Sequence, residues 1–175
     1  MPFTPAEDRD LEAVAALVNR AYRAGEGWTH EADYLAGERT DAPTLRADLA
    51  AASQAVIMVL RDAPAAPLLG AVWLEPAGGD VWYLGMLSVR PDQQDRKLGR
   101  RLLDLAEAFA VERGARRIRI TVVSIRDTLI AWYHRRGYRP TGEMEPFPYQ
   151  DGHFGAPNRG DLEFIVLEKD RPSTD

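Results

Sequence analysis

The 175-residue sequence predicts an α/β (α+β) domain: a mixed, mostly antiparallel central sheet flanked by helices. Three observations lead there. Between Ala55 and Val89, short runs rich in β-branched and apolar residues are separated by proline- and glycine-containing turns, the rhythm of an antiparallel meander. From Leu98 onward, Leu102, Leu105, Ala106 and Phe109 recur at spacings of three and four, so a helix with one buried face follows the meander. A further buried run from Arg116 to Val123 completes a strand, crossover helix and strand, which closes as a right-handed parallel pair.

In chain order, Thr4-Pro5-Ala6-Glu7 has the form of a capping box with proline at the first helical position. Leu11, Val14, Ala15, Val18 and Tyr22 then make one apolar stripe, predicting a helix from Pro5 to Arg23 that stops near Gly25. Gly25 to Thr40 has no clean period and reads as a loop with a short helix. Pro43 to Ala52 is a second helix with Asp41 as its cap. Strands follow at Ala55 to Arg61, Leu68 to Glu75 and Val81 to Val89, with Gly85 marking a bulge or a close backbone approach. The helix that starts between Arg96 and Gly99 runs to about Arg113. After the Arg116 strand come a helix at Asp127 to Arg136 and closing strands at Tyr138 to Met144 and Leu162 to Glu168.

A chain of this length with 45% hydrophobic residues supports one domain with a real core, spanning residues 1–175. The net charge of −5 argues against nucleic acid or an anionic membrane as a general partner. The absence of cysteine excludes disulfides, thiolate nucleophiles and sulfur-bound metals, and no metal is expected. Without a leader-like N-terminus or an apolar run of membrane-spanning length, a cytoplasmic location is the expectation, as a monomer or homodimer.

The chemistry concentrates between Tyr83 and Leu105, YLGMLSVRPDQQDRKLGRRLLDL. A helix N-terminus carries about half a positive charge and unpaired N–H groups, so it favours acids. Here Arg96, Lys97, Arg100 and Arg101 crowd that end, relieved locally by Asp92 and Asp95. Such a cluster is either a solvated basic face or an anion site, with N–H groups turned to phosphate oxygens and Gly99 allowing close approach. Strand, turn and glycine together favour the anion site.

VRPDQQDRKLGRRLL resembles the acyl-CoA signature of the GNAT superfamily of N-acyltransferases, Q/R-x-x-G-x-G/A, aligned on Gln94, Asp95, Arg96, Lys97, Leu98 and Gly99, with Lys97 in place of the middle glycine. LIAWYHRRGY, from Leu129 to Tyr138, resembles the F-Y-x-x-x-G-F segment of the same superfamily, with Trp132 in the Phe place, Tyr133 in the Tyr place and Gly137-Tyr138 in the Gly-Phe place. Two motifs in the expected order identify the chain as a member far more specifically than either alone.

That resemblance implies a GNAT-like sheet splayed between the Val81 and Arg116 strands, with acetyl-CoA entering the gap as co-substrate. It implies that the backbone of Leu87 and Val89 pairs with the pantetheine, and that the N–H groups from Asp95 to Arg101 cradle the pyrophosphate. Tyr133 would protonate the leaving thiolate. Relatives carry an Asn seven residues before the tyrosine; this chain has Arg126, a candidate for an extra phosphate contact. The family also opens on a strand, for which only Met1 to Phe3 remain, so that strand is very short or absent.

The acceptor side is less defined. By family position, Trp28, Thr29, His30 and Glu31, and the aromatic loop from Glu145 to Arg159 with Phe147, Tyr149, His153 and Phe154, border the acceptor site. Each could equally serve packing. No base is evident: the strand after the basic helix carries no Glu, leaving Glu31 and Glu75 as candidates. The expected reaction is transfer of acetyl from acetyl-CoA to the primary amine of a small or amino-acid-like molecule. A protein N-terminal acetyltransferase and a non-catalytic acyl-CoA sensor are the alternatives.

Overall fold

The structure, a computed structural model, describes residues 1–25, 30–150 and 152–171. Its elements are β1 (Phe3–Pro5), α1 (Leu11–Arg23), β2 (Leu35–Ala36), α2 (Ala42–Ala51), β3 (Val56–Arg61), β4 (Leu68–Pro76), β5 (Val81–Val89), α3 (Leu98–Val111), β6 (Arg117–Val123), α4 (Asp127–His134), β7 (Arg139–Pro146), β8 (Ala156–Pro157) and β9 (Glu163–Asp170). Short 3-10 turns occupy Asp8–Asp10 and Pro91–Arg96.

The N-terminus departs from expectation. Thr4 and Pro5 do not start a helix; Phe3–Pro5 pairs antiparallel with β3, Phe3 opposite Leu60 and Pro5 opposite Met58. Proline is tolerated there because β1 is the edge of the sheet, where a missing N–H costs no ladder bond. The capping box is set three residues later, with Glu7 and Asp10 exchanging side-chain and backbone bonds ahead of α1. So the opening strand is present and short. At α2 the expected cap holds: Asp41 accepts from the Thr44 N–H at 2.7 Å.

Seven strands form one sheet in the order β1-β3-β4-β5-β6-β9-β7, and β2 pairs with β8 in a small second ladder. Every contact in the large sheet is antiparallel except β5 with β6. That parallel contact covers only Val81 to Tyr83 against Arg117 to Arg119. Beyond Tyr83 the two strands part, β5 staying with β4 and β6 with β9 as far as Val123. The sheet is therefore splayed where the two motifs flank it. Ala71 faces Ser88 and Trp73 faces Gly85, so the β5 side holds an extra residue at Met86-Leu87, and Met86 takes up the strain with φ 53°. Glycine at 85 is required by packing, since a Cβ there would lie 2.7 Å from the Tyr83 ring.

Both faces of the sheet are covered, and strict alternation along β3 divides the core. Ile57 and Val59 pack with Leu11, Val14 and Val18 of α1 and Leu45 of α2. Met58 and Leu60 pack with Leu98, Leu102 and Leu103 of α3 on the other face. Helices α1 and α2 thus close one side and α3 the other, with Tyr133 of α4 joining the α3 core. The expected periodicity of α3 follows from this burial, Leu98, Leu102 and Ala106 being fully enclosed. Among the described residues, no helix is long and apolar enough to cross a membrane.

Candidate active site

Two cavities open along the splay and meet at Tyr22, Leu87, Leu129 and Tyr133, which line both. The smaller, about 310 Å³, is also walled by Val89, Lys97, Gly99, Arg100, Trp132 and Arg136. The larger, about 520 Å³, lies between β5, β6 and the loops that carry β2 and β8.

Of the residues expected at the acyl-CoA site, the smaller cavity gathers Leu87, Val89, Lys97, Gly99 and Arg100. Leu87 and Val89 sit on the β5 edge that β6 has left, so main-chain groups there face the gap. Gly99 lies against Trp132, where an added Cβ would make ordinary van der Waals contact with the indole at 3.6 Å. The α3 start supplies first-turn N–H groups, the first helical bond running from Arg101 N–H to the Lys97 carbonyl at 3.1 Å. Gln94 and Asp95 belong by backbone to the 3-10 turn before it. Leu98 turns away into the core, fully buried.

The four bases separate. Lys97 and Arg100 reach the cavity, Arg100 with only a loose 3.9 Å pairing to Asp104. Arg96 instead faces Asp62 of the β3–β4 turn, with two contacts at 3.0 and 3.3 Å, and Gln93 at 2.9 Å. Asp62, distant in sequence, supplies the relief expected from nearby acids, and Asp92 is taken by Arg90 at 2.6 Å. Arg101 is exposed on α3 and is not part of the cavity wall.

Lys97 stands where the resembled motif has glycine, and its backbone explains that glycine. Its φ of 55° and ψ of 29° place it in the left-handed region, which costs an L-residue about 1–2 kcal/mol. Lys97→Gly is therefore expected to raise unfolding stability by about 0.5–1 kcal/mol after the extra freedom of the unfolded chain is subtracted. Denaturant titration measures it; a loss of stability would show that the lysine side chain contributes more than its backbone costs.

Tyr133 sits at the junction of the cavities, 7% exposed. Its ring is edge-on to Trp132 and Tyr138, with centroids 5.0 and 5.4 Å apart, so its position is fixed by packing on two sides. Burial pushes its phenol well above the ordinary tyrosine range, keeping the proton on at neutral pH. Tyr22, read from the sequence only as part of an apolar stripe, donates its hydroxyl to the Leu87 carbonyl at 2.8 Å. It thereby holds the bulged edge of β5 against α1.

The larger cavity brings together Glu31, Phe147 and Arg126. Glu31 is buried and clamped, with Arg23 Nη1 at 2.5 Å and Arg126 Nη1 at 3.4 Å. Its two carboxylate oxygens are thus each engaged by a guanidinium. Arg126, expected beside the cofactor phosphates, borders this cavity and not the one with Lys97 and Arg100. It sits at the start of α4, and its pairing with Glu31 draws it to the larger cavity. Phe147 both lines the cavity and packs in a small cluster with Tyr34, Leu35 and Leu162, stacked on Phe164 at 5.4 Å. Trp28 and Thr29 lie outside the described residues. His30 is half-buried and is not on the wall.

What the sequence did not reveal is how the two acceptor-side loops join. Leu35 and Ala36 pair with Pro157 and Ala156, and Asn158 N–H donates to the Tyr34 carbonyl at 3.0 Å. Arg23 also donates to the Phe154 carbonyl. Glu75 and Tyr83 complete the wall from β4 and β5. Tyr83 lies 3.4 Å, oxygen to oxygen, from Thr121 of β6. Among the described residues no group of three or more potential ligands is gathered to hold a metal ion.

Comparison with known proteins gives a concordant result. A family pattern described as Acetyltransferase (GNAT) family matches residues 11–138. No curated protein sequence matches the chain. Among solved structures, the ribosomal-protein-S18-alanine N-acetyltransferase of Escherichia coli is similar at 17% identity and TM-score 0.72, covering 99% of this chain and 96% of its own. The ribosomal-protein-alanine N-acetyltransferase of Brucella melitensis aligns at 16% identity and TM-score 0.70, over 98% and 100% of the two chains. A structure provisionally assigned as a phosphinothricin N-acetyltransferase aligns at 13% identity and TM-score 0.70, over 98% and 99%. At these identities the likeness is one of fold.

Proposed function

The chain belongs to the GNAT family of acetyltransferases, and from that premise we propose that it transfers acetyl directly from acetyl-CoA to the primary amine of a small, amino-acid-like acceptor. The observation that carries this reading is the meeting of two cavities at Tyr133, one with a basic wall suited to an anionic carrier and one enclosed by loops. The acyl carrier fits the residues present: a β5 edge at Leu87 and Val89 that β6 has left, glycine at 99, and the Lys97 and Arg100 charges.

In this reading the amine attacks the thioester carbonyl carbon, the carbon–sulfur bond breaks, and Tyr133 gives its proton to the departing thiolate. An amine of pKa about 10 is about one part in a thousand neutral at pH 7, a cost of about 4 kcal/mol that a base must offset. With Glu31 engaged by two arginines, Glu75 and Glu145 on the same wall are the carboxylates left to take that proton, and Glu75 is the one the sequence already offered. A second reading, acetylation of a protein N-terminus, draws on the two ribosomal-protein enzymes of similar fold.

The deciding measurement is thiol release from acetyl-CoA against amines, amino acids and short peptides. Turnover of small amines with acetyl-CoA affinity that weakens as salt rises is the expected result. Turnover of peptides alone would favour the second reading.

A further inference from the structure

The charges of the larger cavity do not all cancel within the protein. Glu31, Glu75, Glu145, Arg39, Arg119 and Arg126 border it. Glu31 and Arg126 pair with each other, and Arg119 pairs with Glu168 at 2.8 Å and Glu143 at 3.6 Å. Arg39 is different: among the described residues no carboxylate lies within ion-pair distance of its guanidinium. What it does have is a platform, the ring of Phe154, 4.1 Å below the guanidinium carbon. Stacking occupies one face of the group and leaves its fork of N–H donors available at the edges.

The position of Arg39 is built. Asn19 of α1 accepts from the Arg39 and Thr40 N–H groups at 2.7 and 3.1 Å and donates to the Thr40 carbonyl at 2.8 Å. Phe154 is fixed in turn by the Arg23 contact to its carbonyl and by tilted packing on Phe147 and Phe164. A half-buried cation, held by its backbone on one side and its ring platform on the other, thus faces a cavity without a counter-charge of its own. Burial also weakens the hold of Arg39 on its proton. An incoming anion would reverse that penalty.

We propose that Arg39 is the specificity-determining residue for the acceptor and binds an anionic group of the carboxylate class carried on the same molecule as the reacting amine. The inference rests on the larger cavity being the acceptor site. Glu75 and Glu145 line the same cavity without ion-pair partners among the described residues, so the wall offers one positive and two negative groups. That pattern suits a zwitterion, with the carboxylate on Arg39 and the ammonium toward the acids. A peptide N-terminus, whose own carboxyl is tied up in an amide bond, has no such anion beside its amine.

The test uses matched pairs, free amino acids against their carboxamides, read by thiol release from acetyl-CoA as kcat/KM. The amide's amine is more acidic, which biases the wild-type ratio. The change in that ratio caused by Arg39→Gln cancels the bias, and since both acceptors are read on one preparation, partial misfolding cancels too. Loss of a desolvated charge pair is worth about 2 kcal/mol or more, so the acid-to-amide ratio should fall about 30-fold or more, mostly through KM. Arg39→Lys, keeping the charge and losing the fork, should restore part of it. An unchanged ratio in Arg39→Gln, or turnover confined to amides and peptides, overturns the assignment and leaves acetyl transfer standing. No thiol release with any acceptor removes both this inference and the small-amine reading.

Discussion

Tyr133→Phe is expected to bind acetyl-CoA as the wild type does and to lose about 10²- to 10⁴-fold in kcat, the usual range for general acid catalysis. The substitution removes one oxygen and keeps the ring, so the edge-on packing with Trp132 and Tyr138 survives. A phenol whose proton is held tightly by burial looks too weak an acid for a thiolate of ordinary pKa about 8.5. The thiolate, however, forms in the same enclosed junction, and desolvation raises its proton affinity as well. Transfer between two groups in one low-dielectric site depends on their difference, which burial alone leaves small. Acyl donors whose thiolate departs without a proton should lose less. Wild-type kcat in Tyr133→Phe, measured where chemistry limits turnover, would exclude the tyrosine and point to water or the acceptor ammonium as proton source.

The elements around the smaller cavity were legible because they are written in contiguous residues with regular spacing. Leu98, Leu102 and Ala106 reveal α3 because each must reach the same core, and Gly99, Trp132 and Tyr133 fall into place once β5 and β6 part. Side-chain charge was legible only as a cluster. Nothing in QQDRKLGRR distinguishes Arg96, which Asp62 removes from the cavity, from Lys97 and Arg100, which remain on its wall. The pairing is set by a turn more than thirty residues earlier, and local sequence does not encode it.

The wall of the larger cavity was hidden for the same reason on a larger scale. Arg23 holds both Glu31 and the Phe154 carbonyl, the latter 131 residues away from it in the chain. Asn19, on α1, pins the backbone of Arg39 and Thr40, a contact that no local pattern signals. A capping motif misread at Thr4-Pro5 has a different cause: Pro5 satisfies both an edge strand and a helix start, and pairing with β3 decided between them. Local preference was real at that position, and tertiary contact overrode it.

Replacement of Glu107 should produce the largest loss of stability. This residue lies on α3, its side chain 1% exposed, facing Lys169 Nζ at 2.8 Å and Arg171 Nη1 at 3.1 Å. It also accepts the Tyr138 hydroxyl at 2.9 Å, tying the last residue of the second motif to the helix into which the first motif runs. Removing one partner of a buried ion pair costs about 3–5 kcal/mol, because the charge left behind has lost both its counter-ion and its water. Lys169 and Arg171 are not fully enclosed, their side chains being 18% and 36% exposed, so water recovers part of that loss. Glu107→Ala is therefore expected near the lower end, about 3 kcal/mol, or about 6–12 °C in melting temperature for a chain of this size. Glu107→Gln keeps the shape and an acceptor for Tyr138, so it should cost less. Denaturant unfolding at low and high salt would separate the contributions: a buried pair is poorly screened, and the penalty should persist at high salt. A penalty under about 1 kcal/mol that vanishes in salt would place Glu107 among ordinary surface ion pairs, which contribute about that much.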